Sequence, residues 1–129
     1  MKIRLRNGLP LVSVELQYRN QQTALGDVLL DTGSASSVFS TDRLLAIGVK
    51  YEPEDTVHRV RGVGGSEFVF SKRLDRISLN DLALDDCLVE VGAMDYGVEL
   101  DGILGMDFLA SVGAVIDLAR TEVRAAKEQ

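Results

Sequence analysis

One stretch of the chain combines residue types that can carry out acid–base chemistry. It is Asp31–Ser34, with the sequence Asp-Thr-Gly-Ser, and it follows the apolar run Val28–Leu30. A carboxylate directly after a buried strand is costly, so it is expected there when it has a task, such as taking a proton from water. Gly33 lets the backbone turn sharply beside it. Because Asp-x-Gly is also ordinary turn chemistry, this stretch alone leaves open a strand that ends in a capped turn.

Length and composition limit the class of protein. The chain has 129 residues, of which 46% are apolar and 26% charged, which predicts one globular domain over residues 1–129. The net charge of −6 and the lack of a Lys/Arg cluster argue against nucleic acid as a partner. No apolar run approaches the ~20 residues of a membrane span, and residues 1–6 lack the apolar part of a signal peptide. We therefore expect a soluble, cytoplasmic protein without a membrane partner.

The chain has one cysteine, Cys87, and one histidine, His58. This excludes an internal disulfide and a Cys/His metal set, so the sequence predicts no metal and no cofactor. Cys87 lies in an alternating run, where a small core residue is the simpler interpretation than a nucleophile. His58 is expected to be exposed at the base of a hairpin.

Short alternating apolar runs between turn residues predict an all-β, barrel-like domain. Two turns are expected early in the chain, at Asn7-Gly8 and within 19–22, and a third at Asn80-Asp81.

Two short helices interrupt the predicted strands. One covers 41–48, with Thr41 as N-cap and Gly48 as the C-terminal stop, and Asp107 could cap a helical turn over 108–111. The tail, about residues 124–129, is interpreted as helical or frayed.

Two more features follow Asp31 along the chain. The first is a predicted hairpin with strands at 57–61 and 66–70 and a tip formed by Gly62, Val63, Gly64 and Gly65. A glycine-rich tip lets another chain come close to the backbone, although a plain exposed hairpin has the same pattern. The second is a short apolar strand, Ile103-Leu104-Gly105, that leads into a helical turn.

These three features, in this order, resemble the retropepsin-like aspartic proteases over about residues 10–117. The resemblance implies a closed acid-protease β-barrel in which Asp31 is catalytic and the hairpin tip is a flap over the substrate. Supporting roles for the active-site loop are implied for Thr32, Gly33, Ser34, Ile103, Leu104 and Gly105.

Peptide hydrolysis of this kind needs two carboxyl groups. One takes a proton from water while the other, protonated, polarises the carbonyl group. The chain has a single Asp-Thr-Gly, since Asp101 lacks a following hydroxyl residue and Asp117 precedes Leu118. The second carboxylate is therefore expected from a second copy of the chain, which predicts a C2 homodimer that acts on protein or peptide substrates. In the family, Thr32 would brace the two loops across the dimer.

The chain departs from the viral members of this family at two positions. Ala35 stands where viral enzymes have an aspartate, and Met106 stands where they usually have an arginine. This is closer to the cellular and bacterial members. We also expect the Ser34 hydroxyl to donate to the catalytic carboxylate and so to shift the pH optimum towards acid.

Apolar residues near the site are candidates for substrate pockets: Leu29, Val38, Ile103 and the hairpin residues Val60, Val63 and Phe68. Burial in the core explains each of them equally well. Two other functions stay open: a dimerisation or peptide-binding module with the same fold that does not cleave, and an unrelated small β-barrel in which Asp-Thr-Gly occurs by chance.

Overall fold

The computed structural model describes residues 1–62, 65–94 and 99–126. This part of the chain forms strands and two short helices, which confirms the all-β prediction. The strands are β1 (Arg4–Arg6), β2 (Leu9–Tyr18), β3 (Gln21–Leu30), β4 (Val38–Ser40), β5 (Val57–Gly62), β6 (Gly65–Leu79), β7 (Leu82–Gly92), β8 (Gly102–Leu104), β9 (Ala114–Asp117) and β10 (Glu122–Ala125); the helices are α1 (Thr41–Leu45) and α2 (Met106–Ser111).

Eight of the strands form one sheet, in the order β1-β2-β3-β8-β4-β7-β6-β5. Because β2 pairs with β3 on one side and with β6 on the other, six of these strands close into a ring. Most neighbours are antiparallel, but β8 runs parallel to β3 and β4 parallel to β7. The insertion of β8 between β3 and β4 brings residues 102–104 beside the strand that delivers Asp31.

The predicted turns are confirmed, and each has a clear conformational reason. Asn7 and Gly8 have φ values of 53° and 79°, and Asn80 has a φ of 54°, the left-handed backbone of tight hairpin loops. The turn predicted within 19–22 contains only Arg19 and Asn20, since β3 begins at Gln21. The N–H of Arg19 donates to Asp75 at 2.7 Å, which ties this turn to β6.

Three details of the prediction for the first helix and the tail are wrong. The helix α1 ends at Leu45, with Ala46 as C-cap, and not at Gly48. Ser40 rather than Thr41 is the N-cap of α1, because Thr41 already has helical backbone while the Ser40 hydroxyl accepts from the Arg43 N–H. Arg124 and Ala125 belong to β10 and are neither helical nor frayed. That strand forms because Val123 is buried and β10 pairs with β9.

The main core lies inside the ring. Its largest fully buried side chains are Phe39, Phe108, Leu16, Leu44, Leu74, Ile77, Leu79 and Leu104. Cys87 is part of this core, its thiol donates to the carbonyl of Leu84, and burial raises its pKa, which fits the interpretation as an inert core residue. Among the described residues, no helix is long and apolar enough to cross a membrane.

One buried cation ties the loop after α1 to the sheet. The ammonium group of Lys72 in β6 lies 2.8 Å from Glu52 and 2.7 Å from Asp55, and only 7% of its side chain is exposed. Burial acts to lower the pKa of Lys72, but the hydrogen bonds to the two carboxylates outweigh it and the pKa is raised. Hydrogen bonds from Lys72 in turn lower the pKa of both carboxyl groups from their ordinary values of 4.5 and 3.8.

Replacing Lys72 with Met is expected to destabilise the protein more at neutral pH than in acid. Carboxyl groups whose pKa is lowered by folding stabilise the protein above their unfolded pKa values, and this stabilisation disappears as the pH falls through their folded values. The difference in melting temperature between wild type and Lys72→Met should therefore shrink between about pH 7 and about pH 3. Thermal unfolding followed by circular dichroism measures this difference in melting temperature. A difference that stays constant with pH would contradict the stabilisation by the two carboxyl groups.

Candidate active site

Asp31 is held at the point where β3 ends. Its N–H donates to the carbonyl of Leu104 at 3.0 Å, which continues the pairing of β3 with β8 by one residue. The carboxylate oxygen Oδ1 accepts the N–H of Gly33 at 2.9 Å. A Cβ at Gly33 would lie 3.3 Å from this oxygen, so a glycine suits the tight approach. The carboxylate is half-buried and its position is set by the local turn.

The face of the sheet that carries Asp31 is opposite to the main core. Val28 and Leu30 point into the core, so Leu29 and Asp31 lie on the other face. Leu29 pairs with Ile103 of β8, which in turn pairs with Val38 of β4. Paired residues share a face. The three side chains therefore form an apolar row across three strands, beside the end of β3 from which Asp31 extends.

A small second hydrophobic cluster covers part of this row. Val38, Val69 and Met94 are buried together, and Ile103 and Leu100 pack against them. Val69 comes from β6, so the hairpin of β5 and β6 folds back over this face. Phe68, its neighbour, points to the opposite side and is 67% exposed, contrary to its interpretation as a pocket residue.

The predicted hairpin is confirmed as β5 and β6, whose backbones pair up to Gly62 and Gly65. Val63 and Gly64, the rest of the predicted tip, lie outside the described residues. At the base of the hairpin, His58 is partly exposed as expected. Its Nε2 lies 2.9 Å from the carboxylate of Glu90 in β7, which connects the hairpin to the strand beside Val38.

Gly105 lies against the loop that follows Asp31. A Cβ at this position would lie 2.6 Å from the carbonyl oxygen of Ser36 and 2.7 Å from that of Ser34. The next two residues hold the same loop from the start of α2. The N–H of Met106 donates to the carbonyl of Ser34 at 2.8 Å, and that of Asp107 to the carbonyl of Ala35 at 3.2 Å. The predicted support strand, 103–105, thus lies next to the Asp31 loop. Leu104 contacts it directly, because its carbonyl accepts the Asp31 N–H.

Ser37 and Asp107 form a contact that the sequence did not indicate. The Asp107 carboxylate accepts the Ser37 hydroxyl at 2.7 Å and the Ser37 N–H at 3.0 Å. The Ser37 hydroxyl also accepts the N–H of Gly105 at 2.9 Å. Asp107 was predicted as the cap of a helical turn over 108–111, but α2 begins two residues earlier, at Met106, with Gly105 at the N-cap. The only signal in the sequence was a serine directly before an apolar run, and this signal did not identify a partner for it.

The expected hydrogen bond from Ser34 to the Asp31 carboxylate is absent. The Ser34 hydroxyl donates instead to the carbonyl of Ser36 at 2.7 Å, because the turn directs it along the loop. The argument for an acid-shifted optimum that depended on this bond is therefore wrong for the single chain. Thr32 and Gly33 are exposed.

Two other aspartates, Asp101 and Asp117, have structural partners. Asp101 accepts a hydrogen bond from Arg43 Nε at 2.9 Å and one from the Asp27 N–H at 3.1 Å, so its charge is paired. Asp117 accepts the N–H of Arg120, and this hydrogen bond lowers the pKa of its carboxyl group. In contrast, none of the ion pairs among the described residues involves Asp31.

Two cavities, of about 210 and 330 Å³, are lined by residues other than Asp31. The Asp31 carboxylate is therefore not part of the lining of either cavity.

Comparison with known families agrees with this arrangement. No curated protein shows significant sequence similarity to the chain. A family model described as aspartyl protease matches residues 12–108, a range that includes Asp31, the β5–β6 hairpin, Gly105 and Asp107. The chain therefore belongs to this retropepsin-like family of aspartyl proteases.

Proposed function

We propose that the protein is an aspartic endopeptidase whose active site forms between two copies of the chain, with Asp31 from each. The observation that carries the proposal is the presentation of Asp31: a half-buried carboxylate at a strand end, oriented by the Gly33 N–H and free of ion pairs with described cations. A carboxylate held in this way is available to a water molecule or a second carboxyl group. Family membership supports a peptidase in general terms.

The proposed reaction uses one carboxylate and one carboxylic acid. The ionised Asp31 takes a proton from water, and the oxygen of that water forms a bond to the carbonyl carbon of the substrate. The protonated Asp31 of the second copy donates to the carbonyl oxygen. The C–N bond of the resulting tetrahedral intermediate then breaks as the leaving nitrogen takes the proton now held by the first Asp31, and one hydroxyl group of the intermediate returns its proton to the second Asp31. Two carboxylates in contact do not both ionise readily, so the pair shares one proton.

A second copy is required because the described part of one chain offers no second carboxylate of this kind. Asp101 and Asp107 are both held by hydrogen bonds within the fold. The exposure of Thr32 and Gly33 supports the proposal, since a two-fold axis beside Asp31 would bury both. Thr32 would then find its hydrogen-bond partner in the other copy.

An extended peptide is the substrate that fits this face. Leu29 and Ile103 are partly exposed beside Asp31 and are suited to apolar side chains on either side of the cleaved bond. The β5–β6 hairpin, with the tip 62–65, would act as the flap and pair with the backbone of the substrate in strand fashion. Val38 lies buried beneath Val69, so it would reach the substrate only when the hairpin lifts.

Cleavage of an unfolded protein tests this function. Fluorescently labelled casein is incubated with the protein from about pH 3.5 to about pH 7.5, the range in which perturbed carboxyl groups titrate, and new termini are identified by mass spectrometry. Asp31→Asn, purified in the same way, controls for contaminating proteases. We expect cleavage by the wild type alone. Equal cleavage by both proteins would contradict the assignment of Asp31.

The same samples distinguish the alternative, a peptide-binding module that does not cleave. The fluorescence anisotropy of labelled casein rises when the casein is bound and falls when it is cut into small fragments. Binding without new termini at any pH would favour the module and overturn the peptidase.

A further inference from the structure

The loop that carries Asp31 is attached to the start of α2 by a compact set of hydrogen bonds. Ser34 and Ala35 accept from the backbone of Met106 and Asp107. Beyond them, the Ser37–Asp107 pair closes the loop: one carboxylate takes both the hydroxyl and the N–H of Ser37. The far end of the loop is also held by the Glu90 N–H, which donates to the Ser37 carbonyl at 3.0 Å. The Ser37–Asp107 pair is the side-chain contact that attaches this end of the segment 34–37 to the start of α2.

The Ser37–Asp107 pair has the features of a rigid contact. Ser37 is fully buried, with 0% exposure. Its hydroxyl donates to Asp107 and accepts from the N–H of Gly105, so both of its hydrogen-bonding roles are used. Hydrogen bonds to an ionised acceptor are stronger than those between neutral groups, and more so when water is excluded.

The pair also stands where the chain departs from the viral pattern. Ala35 and Met106 replace the charged residues expected at those positions, and the Ser37–Asp107 contact lies next to both. The Asp107 carboxylate thus adds a side-chain attachment to the backbone hydrogen bonds between the loop and the start of α2.

From this geometry we propose that Asp107 is a positioning residue that sets the Asp31 carboxylate through Ser37 and the loop 34–37. The inference rests on the proposed peptidase function. Gly33, whose N–H orients the Asp31 carboxylate, directly precedes this loop. Displacement of the loop therefore alters the direction of the carboxylate, and misplacement by about 1 Å lowers catalytic rates about 10²-fold. The rival role for Asp107 is structural only, as an acidic residue in the first turn of α2.

Asp107→Asn and Ser37→Ala, alone and combined, separate these roles. An Asn side chain has one acceptor oxygen and cannot accept both donors of Ser37, while Ser37→Ala removes the hydroxyl without adding volume. On a casein-derived peptide that the wild type cleaves, we expect each variant to lower kcat about 10- to 100-fold with KM changed less than about twofold. The double variant should be no worse than the stronger single variant, because the residues act as one unit.

Asp55→Asn is the matched control. Asp55, like Asp107, accepts both backbone and side-chain donors, but it lies in the loop after α1. The Asp55→Asn variant should have a lower melting temperature than the wild type and an unchanged kcat. Loss of kcat in Asp55→Asn equal to that in Asp107→Asn would assign the effect to stability and overturn the proposal.

A measurement that does not depend on activity completes the test. The amide exchange rate of Gly33, measured by NMR in the protein without substrate, reports the hydrogen bond to the Asp31 carboxylate. We expect it to rise at least about threefold in Asp107→Asn and Ser37→Ala and to be unchanged in Asp55→Asn. An unchanged rate overturns the positioning role, even if kcat falls. If the wild type cleaves nothing, the peptidase function fails and the exchange rate alone decides whether Asp107 positions Asp31.

Discussion

Asp31→Asn is expected to abolish peptide cleavage while leaving the fold intact. Asn cannot accept the proton of the attacking water, and in a homodimer the change removes both carboxyl groups at once. General acid–base catalysis contributes about 10²- to 10⁴-fold, so we expect kcat to fall by about 10⁴-fold, at the upper end of this range. The amide oxygen of Asn can still accept the Gly33 N–H that Asp31 accepts at 2.9 Å. Thermal unfolding should therefore show no loss of stability.

The control for this variant is Asp27→Asn. Asp27 lies in β3, four residues before Asp31, and its side chain forms only exposed ion pairs, with Arg4 and Arg6. Such pairs contribute little to stability, so activity should stay within about twofold of the wild type. If Asp31→Asn kept a tenth or more of the wild-type kcat, Asp31 could not be the catalytic carboxylate.

Gly105→Ala is the second change with a large expected effect, and it acts without touching a catalytic group. The added methyl would lie 2.6 Å from the Ser36 carbonyl oxygen and 2.7 Å from that of Ser34. These are backbone atoms, so the loop itself must shift. Overpacking of this kind costs about 1–3 kcal/mol, and a shift of about 1 Å in the loop would lower kcat about 10²-fold. Melting temperature and steady-state kinetics measure the two effects separately.

Gly26→Ala is the matched substitution for this test. Gly26 lies within β3, the strand that leads to Asp31, but a Cβ there would meet nothing within 4 Å. In the Gly26→Ala variant the free energy of unfolding should change by less than about 0.5 kcal/mol, and the activity should not change. Wild-type kinetics in Gly105→Ala would show that the close contact with the loop is not needed for activity.

Much of the fold could be predicted because its signals are local. Asn7-Gly8 and Asn80-Asp81 are residues that adopt the left-handed backbone of tight turns, and the structure has turns at both. The alternation of apolar residues placed most strands correctly. Predictions failed by one or two residues where two neighbours are equally suitable, as at Ser40 and Thr41, since either hydroxyl can cap a helix.

The parts of the candidate site that could not be predicted depend on contacts between distant segments. Ser37 and Asp107 are 70 residues apart, and neither residue type indicates the other. The Ser34 hydroxyl was assigned to the wrong acceptor because a serine beside a carboxylate has several acceptors within reach, and only the path of the turn selects the Ser36 carbonyl. The pairing of β8 with β3 is what brings these segments together.

The central claim is that one chain supplies half of the active site, and mixing tests it most directly. Wild type and Asp31→Asn are unfolded together, refolded at constant total concentration, and assayed for casein cleavage per wild-type chain. If two Asp31 residues must meet, a tenfold excess of Asp31→Asn should reduce that activity to about a tenth, since most wild-type chains then pair with a variant. Activity per wild-type chain that does not change with the excess of variant would contradict the claim.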